Sequence, residues 1–331
     1  MPNLKNNHKI LNRFKSVKKS LVRGTVAAMG ILALAGCGQD DKKADVTNIG
    51  VSIANFDDTF MISIKDAMVK YADEMGGKVK LTIVDSKEDT AKQLGQVENF
   101  LVQQMDAVII VPVNTDATKP ITDRVLKANT KLVYVNRKPD YLPDAAYYVG
   151  SNSIAFGEEQ AKYVDKITKG GNIGILEGAL TDEAAIFRTK GVEDYFADKP
   201  DYKVIRKQTG KWSRALGLSI VENWLSSGDE MNIIISNNDE MAIGASQALK
   251  AVNKLKDTVI VGVDATADGL AAIEQGNINA TVFQDGVGQA RGAIDAALDA
   301  IKGNKREQIT WIPSELVTPE NIKEFREKHK I

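Results

Sequence analysis

The side chains in this chain that could do chemistry stand one by one at the ends of short apolar runs. Asp58, Asn136, Arg137, Arg188, Asn238, Asp264 and Gln284 supply carboxylate, amide and guanidinium groups. The only histidines, His8 and His329, lie near the two ends of the chain, so no histidine base and no histidine metal cluster is on offer. Asp57 and Asp58 are paired carboxylates. A glycosidase pair, however, must flank a gap of about 5–9.5 Å, and chain neighbours usually point apart. The sequence has no Gly-x-Gly-x-x-Gly, no Gly-Lys-Ser/Thr phosphate loop, no nucleophile elbow and no Asp-rich calcium loop. Neither an enzyme nor a bound metal or cofactor is expected.

What such groups do well is hold a ligand. A ring with vicinal hydroxyls presents each as both donor and acceptor. Carboxylate, amide and guanidinium groups grip such pairs bidentately, the charged ones more strongly. The flat apolar faces of a ring suit aromatic partners, and Phe60 and Trp212 occur in the same kind of loop. Each residue singly has another use: Phe60 or Trp212 as core, Arg137 as a surface or hinge ion pair, Ser236 or Asp239 as a helix N-cap. Together they point to a neutral, hydroxyl-rich ligand.

The elements that must position these groups follow from periodicity. Ile233–Ile235 is a short β-branched run that stops at Ser236-Asn237-Asn238-Asp239, and Met241–Val252 then carries apolar residues at helical spacing. That is a buried strand, a polar loop and a helix. The pattern recurs: runs at 48–53, 79–84, 107–111 and 132–135 alternate with helical stretches at 61–75, 90–104 and 121–129. After Tyr147–Ser151 it restarts, with strands at 172–176, 202–208, 259–263 and 280–283 and helices at 154–168, 183–196, 215–226 and 288–302. Alternation of this kind predicts an α/β fold of two similar doubly wound parallel sheets. Ligands bind such sheets outside the carboxyl ends of the strands, where these polar residues fall.

Length and composition agree. A chain of 331 residues with 43% hydrophobic content is long enough for two domains. Lys and Arg number 43 against 44 for Asp and Glu, which gives no basic face for nucleic acid. The first 23 residues carry Lys5, Lys9, Arg13, Lys15, Lys18, Lys19 and Arg23 with no acid, and Gly24–Ala35 is apolar and small. About a dozen apolar residues make a signal-peptide core, whereas a spanning helix needs about 20. The stretch ends Leu34-Ala35-Gly36-Cys37. It resembles the lipobox of bacterial lipoproteins, which implies cleavage before Cys37 and a lipid on that residue. Residues 38–47 are polar and charged, as a tether would be. A lipid-anchored protein working outside the cytoplasm is expected.

Phe56-Asp-Asp-Thr-Phe-Met61, Ala146-Tyr-Tyr-Val-Gly150, Asn237-Asn-Asp239 and Gly262-Val-Asp-Ala265 resemble the galactose/glucose-binding proteins of bacterial sugar ABC importers. Val133-Tyr-Val-Asn-Arg137, Trp212-Ser-Arg214, Ser236–Gly244, Thr281-Val-Phe-Gln-Asp285 and Leu316-Val-Thr-Pro319 are similar to the rhizopine/inositol-binding branch. The resemblance implies a periplasmic-binding-protein type I fold: two lobes joined by three crossovers and closing over one ligand. The lobes would comprise residues 48–149 plus 285–311 and 150–284 plus 312–331. By position, Asp58, Phe60, Arg188, Trp212, Asn238 and Asp264 match the ligand-contacting places, with Asn136, Arg137 and Gln284 beside them. Where galactose/glucose binders have a His and an Asp before the arginine, this chain has Asp182 and Ala184, and Gln284 replaces an Asn. These departures weigh against a hexopyranose. The expected function is capture of a cyclitol for an ABC permease by a monomer. Galactose, glucose or a pentose is the alternative ligand, and a sensory co-receptor the alternative role.

Overall fold

The computed structural model describes residues 46–330. The signal segment, Cys37 and the tether up to residue 45 lie outside them. Two six-stranded sheets organise the described chain. The first holds β1 (Thr47–Ile53), β2 (Val79–Asp85), β3 (Ala107–Ile110), β4 (Lys131–Val135), β5 (Ala146–Gly150) and the late strand β11 (Ile309–Trp311). Their order is β11-β5-β4-β3-β1-β2, parallel throughout. The second holds β6 (Gly171–Glu177), β7 (Tyr202–Thr209), β8 (Ile233–Ser236), β9 (Val259–Asp264), β10 (Ala280–Gln284) and β12 (Ser314–Val317). Here the order is β12-β10-β9-β8-β6-β7, and β10–β12 is the antiparallel pair.

Helices cover both faces of each sheet, so the central strands read as unbroken apolar runs. All four residues of β3 are fully buried, as are Ile233, Ile234 and Ile235 of β8. α1 (Thr59–Glu74), α2 (Thr90–Val102) and α3 (Lys119–Lys127) serve the first sheet. α4 (Ser153–Ile167), α5 (Glu183–Phe196), α6 (Arg214–Ser226), α7 (Asp239–Ala251) and α8 (Ala267–Glu274) serve the second. α9 (Gly286–Lys302) returns to the first lobe, where Ala290, Ala293, Ile294 and Ala297 join its core with Ile64 and Met68 of α1. α10 (Ile322–His329) closes the second. The chain therefore passes between the lobes after β5, after β10 and after β11. This is the two-lobed type I fold the sequence predicts.

One helix contact bears directly on the site. A Cβ on Gly157 of α4 would lie 2.0 Å from the carbonyl oxygen of Arg188 in α5, and one on Gly191 would lie 2.3 Å from that of Ile154. The two backbones touch, and the residue at the contact is a predicted ligand residue. Gly157→Ala is expected to push α5 outward and cost about 1–3 kcal/mol, the usual range for overpacking. A lower urea midpoint with an unchanged slope would register it. An unaffected midpoint would mean that α5 can move away without loss.

Candidate functional site

Several of the polar loop residues are held in place because they also cap helices. Asp58 caps α1, its Oδ1 accepting from Phe60 N at 2.8 Å and Met61 N at 3.3 Å. Asp182 caps α5 through Ala184 N at 2.9 Å. At the β8–α7 junction the cap is Asn238, whose Oδ1 accepts from Met241 N at 3.0 Å while its Nδ2 donates to Trp212 O at 3.1 Å. The cap thus falls between the two residues, Ser236 and Asp239, for which the sequence suggests it. Asp239 instead ties the start of α7 to the loop after β9 and to β10, its carboxylate accepting from Thr266 N at 2.9 Å and Thr281 Oγ1 at 2.6 Å.

All nine predicted ligand residues line one tight cavity between the lobes, with Met61, Asp182 and Ala184. Its open volume is about 20 Å³, room for about one water and well below the roughly 300–1,000 Å³ of ligand clefts, so its own side chains nearly fill it in this conformation. Asp58, Phe60, Asn136 and Arg137 come from the first lobe. Arg188, Trp212, Asn238 and Asp264 come from the second, and Gln284 ends β10 at a crossover. Their roles differ. Phe60 is 8% exposed and belongs to the first core as well as to the cavity wall. The Asn136 amide donates to Gln289 Oε1 of α9 at 3.0 Å, and its backbone carbonyl accepts from Tyr148 OH at 2.8 Å, so this residue also braces the loop after β4 against α9 and β5. Its φ of 68° suits an asparagine.

The groups with capacity to spare are the ones that matter chemically. The Asp264 carboxylate is 6% exposed, and its cationic neighbour Arg188 Nη1 stands 3.8 Å away, too far for a hydrogen bond. Burial holds its pKa well above the ordinary 3.8, with the Arg188 charge pulling it part of the way back. Its φ is 119°, a conformation that costs an L-residue about 1–3 kcal/mol and persists only where the surroundings impose it. Arg188 donates from Nη1 to Asn237 O at 2.6 Å and from Nη2 to Gln284 Oε1. Its guanidinium lies 4.9 Å from the Phe156 ring and 5.6 Å from the Trp212 ring. Arg188 Nε and Trp212 Nε1 are buried donors without a protein partner. Buried donors are seldom left so, because each costs about 1–3 kcal/mol unpaired.

Across the cavity Arg137 is 1% exposed, with Nη1 donating to Pro112 O at 3.1 Å and Nη2 3.7 Å from Glu88 Oε1. Its Nε lies 2.9 Å from Asp182 Oδ2, on the opposite lobe. The N–H is not aligned on that oxygen, so the contact is an ion pair rather than a hydrogen bond. Arg137 therefore takes the ion-pair role, buried at the cleft rather than on the surface, while also lining the cavity. Burial also raises the Asp58 carboxyl above its ordinary value, with Arg137 working against the rise.

Sequence reasoning missed Asp182, Glu183 and Glu88. Asp182 was legible only as a departure from a family pattern. Its place as the cap six residues ahead of Arg188, on a loop like that of Asp58, is the signal that could have found it. Glu183 Oε1 accepts from Lys138 N of the other lobe at 3.3 Å and from Ser153 Oγ at 3.1 Å. Thr115 N adds a further contact across the cleft, donating to Thr181 O at 3.0 Å.

Two buried carboxyls give the protein a pH dependence. Burial raises Glu183 from 4.5 to about 7 and Asp239 from 3.8 to about 7. Between the ordinary and raised values the folded state holds protons that the unfolded chain has released, so stability falls as pH rises through that window, and Asp264, also raised by burial, adds to the fall. The urea midpoint is expected to be higher at pH 5 than at pH 8. Asp239→Asn should flatten that part of the profile. A midpoint that rises from pH 5 to pH 8 would contradict the assignment.

Two doubly wound lobes with a polar cavity at the strand ends between them form the frame of a ligand-binding site. Residues 49–305 match the periplasmic binding protein domain, and the chain belongs to that extracytoplasmic family. A Rhizobium meliloti protein described provisionally as rhizopine-binding is 41% identical over 90% of this chain and 99% of its own length. A xylitol-binding protein of Mycolicibacterium smegmatis is 32% identical over 90% of this chain and 86% of its own. A Bacillus halodurans ABC transporter solute binding protein, solved with bound myo-inositol, superposes with a TM-score of 0.82 at 38% identity, covering 87% of this chain and 99% of that one.

Proposed function

We propose that this protein is the solute-binding component of a carbohydrate ABC importer and that its ligand is a cyclitol, myo-inositol or a rhizopine-like relative. The observation that carries the reading is the set of unspent polar groups facing one cavity: the Asp264 carboxylate, Arg188 Nε and Trp212 Nε1. A ring bearing hydroxyls on every carbon can engage all three at once while its face meets Phe60 or Trp212. The similarity to a protein solved with myo-inositol supports the choice of ring.

In this reading the nine lining residues bind ligand without chemistry, and the lobes, residues 48–149 plus 285–311 and 150–284 plus 312–331, close as bodies about the crossovers. A ligand that touches both lobes binds the closed form better and shifts the population towards it. The permease then reads the closed surfaces. Cys37 carries the lipid that ties a monomeric protein to the membrane. The xylitol-binding relative keeps pentitols and pentoses as the second reading.

Calorimetry and thermal unfolding of the purified protein against myo-inositol, xylitol, galactose, glucose and ribose test it. At 100 times its dissociation constant the true ligand should stabilise by about 2.7 kcal/mol. Stabilisation by galactose, glucose or ribose with none by myo-inositol would overturn the cyclitol reading.

A further inference from the structure

The inner cavity does not end at its own walls. Asp58 and Trp212 also line a second, larger groove that runs between the lobes, with about 670 Å³ of open volume against about 20 Å³ for the inner cavity. The groove persists although the lobes already touch through Thr115, Lys138 and Arg137. Its first-lobe wall offers Asn55, Asp57 and Asn114, and its second-lobe wall Leu180, Thr181 and Lys211. Leu180 is 53% exposed, an apolar surface on the loop before α5. At the junction the Trp212 ring rests on the Gly178 backbone, where an added Cβ would lie 2.1 Å from it. The ring is thereby fixed at the passage from one space to the other.

The charges select what such a groove can hold. Asp57, Asp58, Glu88 and Glu240 line it against Lys211 and Arg214. Arg214 is already held by Glu240 at 2.9 Å and by Asp268, which leaves Lys211 as the wall's one cation without a carboxylate partner among the described residues. An anionic group would meet a surplus of carboxylate. A neutral group rich in hydroxyls would meet amides, hydroxyls and carboxylates that accept and donate to it, with Leu180 and the Trp212 edge for its apolar faces.

We propose that this groove is a second ligand subsite. The protein then accepts a ring that carries one neutral, sugar-sized substituent, with the ring in the inner cavity and the substituent in the groove. The inference rests on the inner cavity being the site for the ring, as proposed above.

Titration calorimetry with myo-inositol, its α-galactoside (1-O-galactosyl-myo-inositol) and myo-inositol 1-phosphate separates the two ideas. The galactoside is expected to bind within about tenfold of the free ring, and the phosphate at least about a hundredfold more weakly. Leu180→Trp, which fills the groove away from the inner cavity, should weaken the galactoside by about tenfold or more and leave free myo-inositol within about twofold. Binding of myo-inositol with rejection of its galactoside would overturn the subsite and leave the cyclitol reading intact. So would a Leu180→Trp variant that binds the galactoside as the wild type does. If neither cyclitol binds, the ring assignment fails, and galactose paired with melibiose then decides the subsite. Rejection of both substituted probes overturns it.

Discussion

Asp264→Asn is expected to lower affinity for the bound ring at least about 100-fold, roughly 2.7 kcal/mol, without lowering the stability of the unliganded protein. The size follows from the carboxylate's situation. It is buried at the end of β9, and Arg188 stands 3.8 Å away, beyond hydrogen-bond reach. Its acceptor capacity is therefore available to ligand hydroxyls. Hydrogen bonds to a charged group contribute about 1.5–3 kcal/mol each, so two such bonds lost reach the expected figure even at the low end. The stability half of the prediction has an independent basis. A carboxylate whose pKa burial pushes well above 3.8 opposes folding at neutral pH, and its amide has no charge to desolvate. The φ of 119° is a second cost, which asparagine bears no worse than aspartate. Calorimetry for affinity and urea unfolding for stability measure the two halves separately. Wild-type affinity in the variant would remove Asp264 from the site. A stability loss as large as the affinity loss would make it a structural residue instead.

What the sequence made legible, and what it hid, follows from how each element is buried. The central strands were readable because they are covered on both faces, and the predicted helices fall within a few residues of those observed. Four kinds of element escaped. β5 reads in the sequence only as a crossover stretch, because Ala146–Gly150 mixes two tyrosines with small residues and is not an unbroken β-branched run. α10 buries only Ile322 and Phe325, too few positions to mark a helical stripe among its charges. α8 is eight residues long and rich in alanine and glycine, so its period was faint, although Thr266 caps it through Gly269 N at 3.0 Å and was a usable signal. β11 and β12 are three and four residues at sheet edges with mixed burial, below the length at which alternation can be seen. At the site, residue types at strand ends were enough to gather nine side chains that share one cavity. They were not enough to show how each is spent. Asn238 uses its amide oxygen on a cap and Asn136 its amide nitrogen on α9, because those choices depend on which helix or neighbour lies within 3 Å. Asp182 went unrecognised for the same reason: its partner, Arg137, is 45 residues away in sequence and on the other lobe.

That pair leads to the other large expected effect. Asp182→Ala should weaken ligand binding by roughly 3–5 kcal/mol at most, and far more than it weakens folding. Removing one partner of a buried ion pair strands the other, at about that cost, when the survivor has no route to water. Here it has one. Arg137 and Asp182 sit on opposite lobes, so opening the cleft rehydrates the guanidinium, which keeps only Glu88 at 3.7 Å as a carboxylate partner on its own lobe, while both cores stay packed. The penalty therefore falls on the closed state, which the proposed binding mechanism requires. Asp182 also caps α5 through Ala184 N, and losing a cap costs about 0.5–2 kcal/mol of folding stability. Asp182→Asn separates the two contributions, since asparagine caps as well as aspartate but carries no charge. It should keep the unfolding midpoint, lose affinity, and show a larger radius of gyration in X-ray scattering without ligand. Arg137→Ala combined with Asp182→Ala completes the cycle: if the two side chains act as a cross-cleft pair, the double variant loses less affinity than the sum of the singles. Strict additivity of the singles, or an Asp182→Asn protein that unfolds early yet binds normally, would show that the ion pair contributes to the α5 end of the second lobe and not to closure.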